Sequence, residues 1–249
     1  MLRALLLSSL LAAGAGAQPL ITDRPDFTES PLAVAEGRFQ IELGTTFTDS
    51  GNNVTEVVAP EALVRLGVLP FAELRLGLPT YASTESGNGL GLGRSRSQEF
   101  SNPTIGAKFA LGRAMGVDFA LLPSTEIPVN PDGGSLRLLP SFLLIAGADL
   151  ARGVSLGAQG GLAYTGPGAD ELDLSGTAVL GFSLTDQIGA FAEVAIDDRT
   201  DIDAPASVLL HTGATVLLTD DLQLDAHVGA GVTETAPETL VGVGASARF

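Results

Sequence analysis

His211 and His227 are the only histidines in this chain of 249 residues, and it has no cysteine. Nucleophilic hydrolysis needs a hydroxyl or thiol, an imidazole base beside it and a third group that orients the base. The thiol is excluded, and neither histidine lies beside the strained Gly-x-Ser-x-Gly turn that presents a catalytic serine in one large hydrolase class. Nor does their separation match a zinc-ligand spacing. Two other stretches fail on context. GNGLGLG, residues 87–93, has the glycines of a phosphate cradle but opens no helix, so it is expected to be a loop. DDRTDID, residues 197–203, crowds acids but lacks the glycine and closing glutamate of a calcium loop, so it is expected to be solvated. The chain is not expected to be an enzyme or to hold a metal or cofactor.

The remaining chemistry lies in charged residues that recur at every second position. In residues 38–47, Arg38, Gln40 and Glu42 alternate with Phe39, Ile41 and Leu43. The same polar face, followed along the chain, carries Glu61 and Arg65, then Glu73 and Arg75, Lys108, Asp118 and Glu126, Arg137 and Gln159, Glu193 and Asp197, His211, Asp225 and His227, and Arg248. Between them stand small residues such as Gly157, Gly161, Thr177 and Ser183. Charges gathered on one face either brace a wall by pairing with each other or line a watery path and filter what passes. Arg65, Glu73 and Arg75 are expected close together, because the Leu69-Pro70 turn folds their strands onto each other.

The elements that position this face are β-strands. Period-two alternation begins at Gly37 and continues to the end, with Gly, Pro, Asn and Asp clusters between the runs. Twelve segments emerge, at 37–48, 54–68, 71–81, 103–111, 115–127, 136–149, 153–165, 172–184, 187–198, 205–218, 221–233 and 239–249, with ten or fourteen as the neighbouring even counts. Several exceed the about 9 to 11 residues that a tilted strand needs to cross a bilayer. Tight turns at 69–70, 112–114, 151–152, 185–186 and 219–220 alternate with longer polar loops, the longest at 82–102. That is the build of an all-β, antiparallel, up-and-down transmembrane barrel of the bacterial outer-membrane type, with both ends on the short-turn, periplasmic side. Phe249 closes the chain on the outward face, although no Trp and two Tyr make thin aromatic girdles.

The first residues agree with export. Arg3, a leucine-rich core and Ala15-Gly16-Ala17 have the order of a secretory signal, so residues 1–17 are expected to be removed. The mature balance is then 12 basic against 29 acidic residues, a difference of −17, which excludes nucleic acid as a partner. The expected partners are membrane lipid, lipopolysaccharide and a small organic solute.

Several stretches carry a resemblance. TDRPDFTESP at 22–31, EGRFQIELGTTFT, VLPFAELRLGLPTY, TDDLQLDAHVGAGV and the closing LVGVGASARF resemble the outer-membrane transporter family associated with the meta-pathway of phenol degradation. The similarity extends over essentially the whole mature chain, and its most specific part is the opening motif. It implies a barrel in the outer membrane that passes a small, aromatic or hydrophobic organic compound.

The opening motif belongs to a separate stretch, residues 18–36, ahead of the barrel at 37–249. Pro25 and Pro31 lack backbone donors and restrict the residues before them, so 22–31 is neither a central strand nor a regular helix. It is either a flexible leader or a luminal plug. As a plug it sets Asp23, Asp26 and Glu29 against luminal arginines and Arg24 against luminal acids, with Phe27 among them. Twelve strands lie between filled eight-stranded barrels and open porins of roughly 16 to 18 strands, so a narrow or plugged pore is expected. Two other classes share the alternation: a structural or adhesive barrel without transport, and a secreted soluble β-barrel or sandwich that binds a ligand.

Overall fold

A computed structural model describes residues 20–87, 93–128, 138–166, 172–199 and 205–249. Its elements are β1 (Phe39–Asp49), β2 (Val54–Leu69), β3 (Ala72–Gly77), β4 (Tyr81–Gly87), β5 (Arg94–Phe100), β6 (Thr104–Ala114), β7 (Val117–Glu126), β8 (Leu139–Ala151), β9 (Val154–Tyr164), β10 (Leu172–Ser183), β11 (Ile188–Arg199), β12 (Ser207–Thr219), β13 (Leu222–Gly231) and β14 (Thr239–Arg248). All pairings are antiparallel, and because β1 pairs with both β14 and β2 the sheet closes on itself. The wall consists of β1, β2, β3 and β6 to β14, twelve strands in all. Closure leaves the wall no unpaired edge, which lipid requires.

The two strands outside the wall correct the sequence reading. Residues 82–102, expected as one long loop, carry the β4–β5 hairpin. β2 is 16 residues long; its first half pairs with β4 and its second half with β3. The hairpin prolongs the wall beyond the short β3. Its sequences, YASTESG and RSRSQEF, have no continuous apolar face, and hydrophobic alternation is blind to a strand that is polar on both sides. The turn expected at 112–114 also moves. Gly112, at φ 95°, sits where the β6–β7 register shifts, and the chain reverses at Met115 and Gly116, both at positive φ (53° and 85°), as a primed two-residue hairpin needs.

Burial is inverted relative to a soluble protein. Arg65, Lys108, Gln40, Glu42, Glu73 and Ser246 are almost completely enclosed, while Leu43, Phe47, Leu74, Phe142, Leu144, Leu174 and Val243 are among many apolar side chains open on the outside. Soluble monomers rarely expose contiguous apolar patches beyond a few hundred Å². A belt around the whole wall fits a lipid-facing surface, which a soluble sandwich or binding barrel does not have. At the short-turn rim the first and last wall residues meet: the Phe39 ring stacks on Phe249 with centroids 4.8 Å apart.

Candidate functional site

Residues 20–36 lie inside the barrel, and the wall is shaped to hold them. The segment leaves the lumen at the short-turn rim, where the Gly37 N–H donates to the Gly67 carbonyl at 2.9 Å. Gly67 has to be a glycine for the chain to pass: a Cβ there would overlap the carbonyls of Val34 and Ala35. Farther in, the Val34 N–H donates to Glu73 at 2.6 Å, and Pro31 packs where Gly147 leaves room.

The charged residues of β1, β2, β3 and β6 meet around Asp23. Its carboxylate is 2.9 Å from Lys108 Nζ, 2.9 Å from Arg65 Nη1 and 2.5 Å from Arg75 Nη1. Arg65 also pairs with Glu73 at 2.9 Å and Glu42 at 2.8 Å, so its guanidinium is shared between two wall acids and one segment acid. Glu29 reaches Arg75 at 2.8 Å and Lys108 at 3.0 Å. Burial would push the Asp23 carboxyl up, but the Arg65, Lys108 and Arg75 charges outweigh it and hold it well below the usual carboxylate range. Burial and the neighbouring Asp23 push Glu29 the other way.

The opposite wall holds the tip of the segment. Glu193 on β11 accepts the Phe27 N–H at 3.0 Å, the Thr28 N–H at 2.8 Å and the Thr28 hydroxyl at 2.6 Å. His211 Nδ1 lies 2.8 Å from the same carboxylate, and His211 Nε2 lies 2.9 Å from His227 Nδ1. With Glu193 as acceptor, a neutral His211 carries its proton on Nδ1, and His227 then donates from its own Nδ1. Both His211 nitrogens are thus occupied, so this imidazole is not free to deprotonate a nucleophile. Gln159 on β9 clamps the tip from the side, accepting the Glu29 N–H at 2.8 Å and donating to the Phe27 carbonyl at 2.8 Å.

Arg24 fastens a third side. Its guanidinium donates to Glu61 at 3.0 Å, Asp225 at 3.4 Å and the Val243 carbonyl at 3.3 Å. It rests on the wall where Gly44 faces Gly244 across the β1–β14 pair, and a Cβ on either glycine would overlap it. Thr28 and Asp23 show the span most plainly. Thr28 is held by Glu193 on β11 and Asp23 by Arg75 on β3, six places apart around a twelve-strand ring, while Glu29 ties β9 to β6 and β3, three and four places away. A cavity of about 390 Å³ between Glu29, Glu61, Thr104 and Glu126 lies toward the long-loop rim. Another of about 340 Å³ between Glu29, Leu32, Asp118 and Asp149 lies toward the short-turn rim.

Not every expected residue joins this assembly. Arg38 stands just before β1 and is exposed at the short-turn rim, because the alternation was extended one residue past the strand. Arg248 pairs with Asp221 at 2.7 Å and Asp118 with Arg113 at 3.5 Å, both near that rim. Glu126 is exposed toward the other rim, 3.3 Å from Asn102. Arg137 lies outside the described residues. Within the segment, Pro25 is buried, while Asp26 has no cation partner among the described residues, contrary to expectation. Burial, and then the Glu193 charge, push its carboxyl well above the usual range. Thr28 was passed over because a search by charge does not select a hydroxyl. Its position two residues after Asp26 and directly before Glu29 was the available signal.

A family model described as "Putative MetA-pathway of phenol degradation" matches residues 22–249. The chain belongs to that family. The match begins at Thr22 and so takes in the inner segment as well as the barrel. No curated protein matches the chain. Among solved structures, an outer membrane channel from Pseudomonas putida F1 superposes with a TM-score of 0.58 at 12% identity, covering 92% of this chain and 100% of that one. The KdgM porin gives 0.56 at 10% identity over 84% of this chain and 99% of its own, and the NanC porin 0.56 at 8% over 84% and 98%. At such identities these likenesses establish the fold, a closed outer-membrane-type barrel.

Proposed function

We propose that this member of the family is an outer-membrane channel for the passive passage of small organic molecules, aromatic ones included, and that residues 20–36 form its luminal plug. The leader at 1–17 exports it, the short-turn rim and both ends of the mature chain face the periplasm, and the long loops face outward. The observation that carries this reading is that the segment is held from opposite sides of the lumen, Thr28 by Glu193 on β11 and Asp23 by Arg75 on β3, with cavities toward both rims. A polar interior under an apolar exterior supports a water-filled path through lipid, and the family's description supports an aromatic solute. Glu42, Glu61, Arg65, Glu73, Arg75, Lys108, Glu193 and Asp225 line that path and set its charge.

Contact with lipid and lipopolysaccharide fits the β4–β5 hairpin. Its outward face starts at the wall with Tyr81 and Phe100, whose rings lie 5.4 Å apart, and continues through Gln98 to Arg96 and Arg94, with Glu85 beside them. Aromatic rings at the membrane interface with cations beyond them match the order of a bilayer surface.

Flux into proteoliposomes tests the proposal. Benzoate and benzylammonium, which are charged and cross bare lipid slowly, should enter vesicles that contain the refolded protein faster than empty ones. Equal entry into both would remove the transport reading.

A further inference from the structure

Most apolar residues of the inner segment are hidden: Leu20, Ala33 and Val34 are buried against the wall. Leu32 is open, but into the cavity on the short-turn side. Phe27 stays 42% exposed in the lumen, with Glu193, Gln159 and His211 against it. It is also held firmly. Its N–H is fixed by Glu193 at 3.0 Å and its carbonyl by Gln159 at 2.8 Å. One face of its ring lies on the His211 imidazole, centroids 4.5 Å apart and planes 28° from parallel. His211 cannot turn away, because Glu193 holds one ring nitrogen, His227 holds the other, and Phe191 meets its edge at 5.0 Å. A ring backed on one face by a fixed imidazole presents its remaining surface to whatever shares the lumen.

From this geometry we infer that Phe27 is the specificity-determining contact of the channel: a fixed aromatic platform on which the ring of a small aromatic solute stacks as it passes the plug. The inference rests on the channel reading above and adds the chemical class that the lumen favours. Stacked and edge-to-face arrangements reward the charge distribution of an aromatic ring, and a saturated ring of the same size lacks it. The platform therefore separates aromatic from alicyclic molecules, where pore width alone does not. It gains from rigidity as well, since no loop has to be ordered when the solute arrives.

The test uses the full mature protein refolded in lipid nanodiscs, with phenol and cyclohexanol as probes and saturation-transfer NMR as the readout. Wild type, Phe27→Leu and Phe27→Tyr are compared, so that partition of the probes into lipid cancels between proteins. The expected wild-type preference for phenol is ~2-fold to ~12-fold in affinity, the range of aromatic pairing. Phe27→Leu should abolish the preference and Phe27→Tyr should keep it. Equal binding of the two probes to wild type, or a preference that survives Phe27→Leu, overturns the inference. Because the readout needs no open pore, the two readings fail separately. Phenol binding that depends on Phe27 in a protein without flux sinks the channel and leaves the platform. Flux without that dependence sinks only the platform.

Discussion

Lys108→Met removes one of the two cations that hold both Asp23 and Glu29 of the plug. Lys108 is fully enclosed, with Asp23 at 2.9 Å, Glu29 at 3.0 Å and Glu73 at 4.0 Å from its ammonium. The surrounding cluster sets the acids Asp23, Glu29, Glu42 and Glu73 against the cations Arg65, Arg75 and Lys108, so the substitution leaves four carboxylates facing two guanidiniums. Removing one partner of a buried ion pair costs about 3–5 kcal/mol, because the other charge stays desolvated. Two of the orphaned acids belong to the segment, so most of that cost falls on docking. The wall keeps its ladder hydrogen bonds. At 1.4 kcal/mol for each factor of ten, the undocked population should rise by about 10² to 10³. Amide hydrogen exchange of residues 20–36 should accelerate by a similar factor, while exchange in the wall strands is unchanged. Adding Asp23→Asn removes one acid and should recover part of the protection, because neighbouring charges do not act additively. Wild-type exchange of residues 20–36 in Lys108→Met would refute the reasoning that buried charge holds the segment.

Three further outcomes are expected. The docked Asp26 carboxyl lies well above the usual range through burial and the Glu193 charge, and Glu29 is raised as well; such acids favour docking below their free values and lose that contribution as pH rises through the raised ones. Asp23 is depressed, and its contribution is lost only below the ordinary carboxylate range. Asp26→Asn should therefore bind the segment more tightly at neutral pH, with a shallower rise in exchange between acid and neutral pH; an unaltered profile would contradict this. Leu144→Arg, on the outward face of β8, should cost ~2–4 kcal/mol of folding free energy in a bilayer if that face meets lipid near the midplane, measured by denaturant titration in vesicles. Gly44→Val should displace the Arg24 guanidinium and raise protease sensitivity at residues 22–31, with a wild-type digestion pattern as the contrary result.

The wall was readable because lipid on one side and water or charge on the other push its strands toward alternation, even the short β3. β7 and β8 carry the pattern least cleanly, since Leu122, Leu143 and Ile145 are apolar on the inward face as well. The β4–β5 hairpin does not carry it, since polar residues stand on both of its faces. The turn at Met115 and Gly116 was misplaced because Gly112, which looks like a turn residue, serves a bulge instead. In the site, the sign of each charge indicated which sort of partner it needs, but Asp23, Glu29 and Arg24 find theirs through a chain path that no local pattern encodes. Asp26 illustrates the limit. It is an acid like Asp23 and Glu29, yet it faces the Glu193 charge and has no cation partner among the described residues. Small inward residues such as Gly157 and Gly161 were legible, and only the structure shows that the glycines at 44, 67, 147 and 244 are the imprint of the segment.

The central claim is that residues 20–36 plug and narrow the lumen. It is tested most directly by single-channel conductance in planar lipid bilayers, with the mature protein measured beside a form that lacks residues 19–31. The deleted form should conduct in larger and longer-lived steps than the intact one. Identical conductance from two folded barrels would contradict the claim.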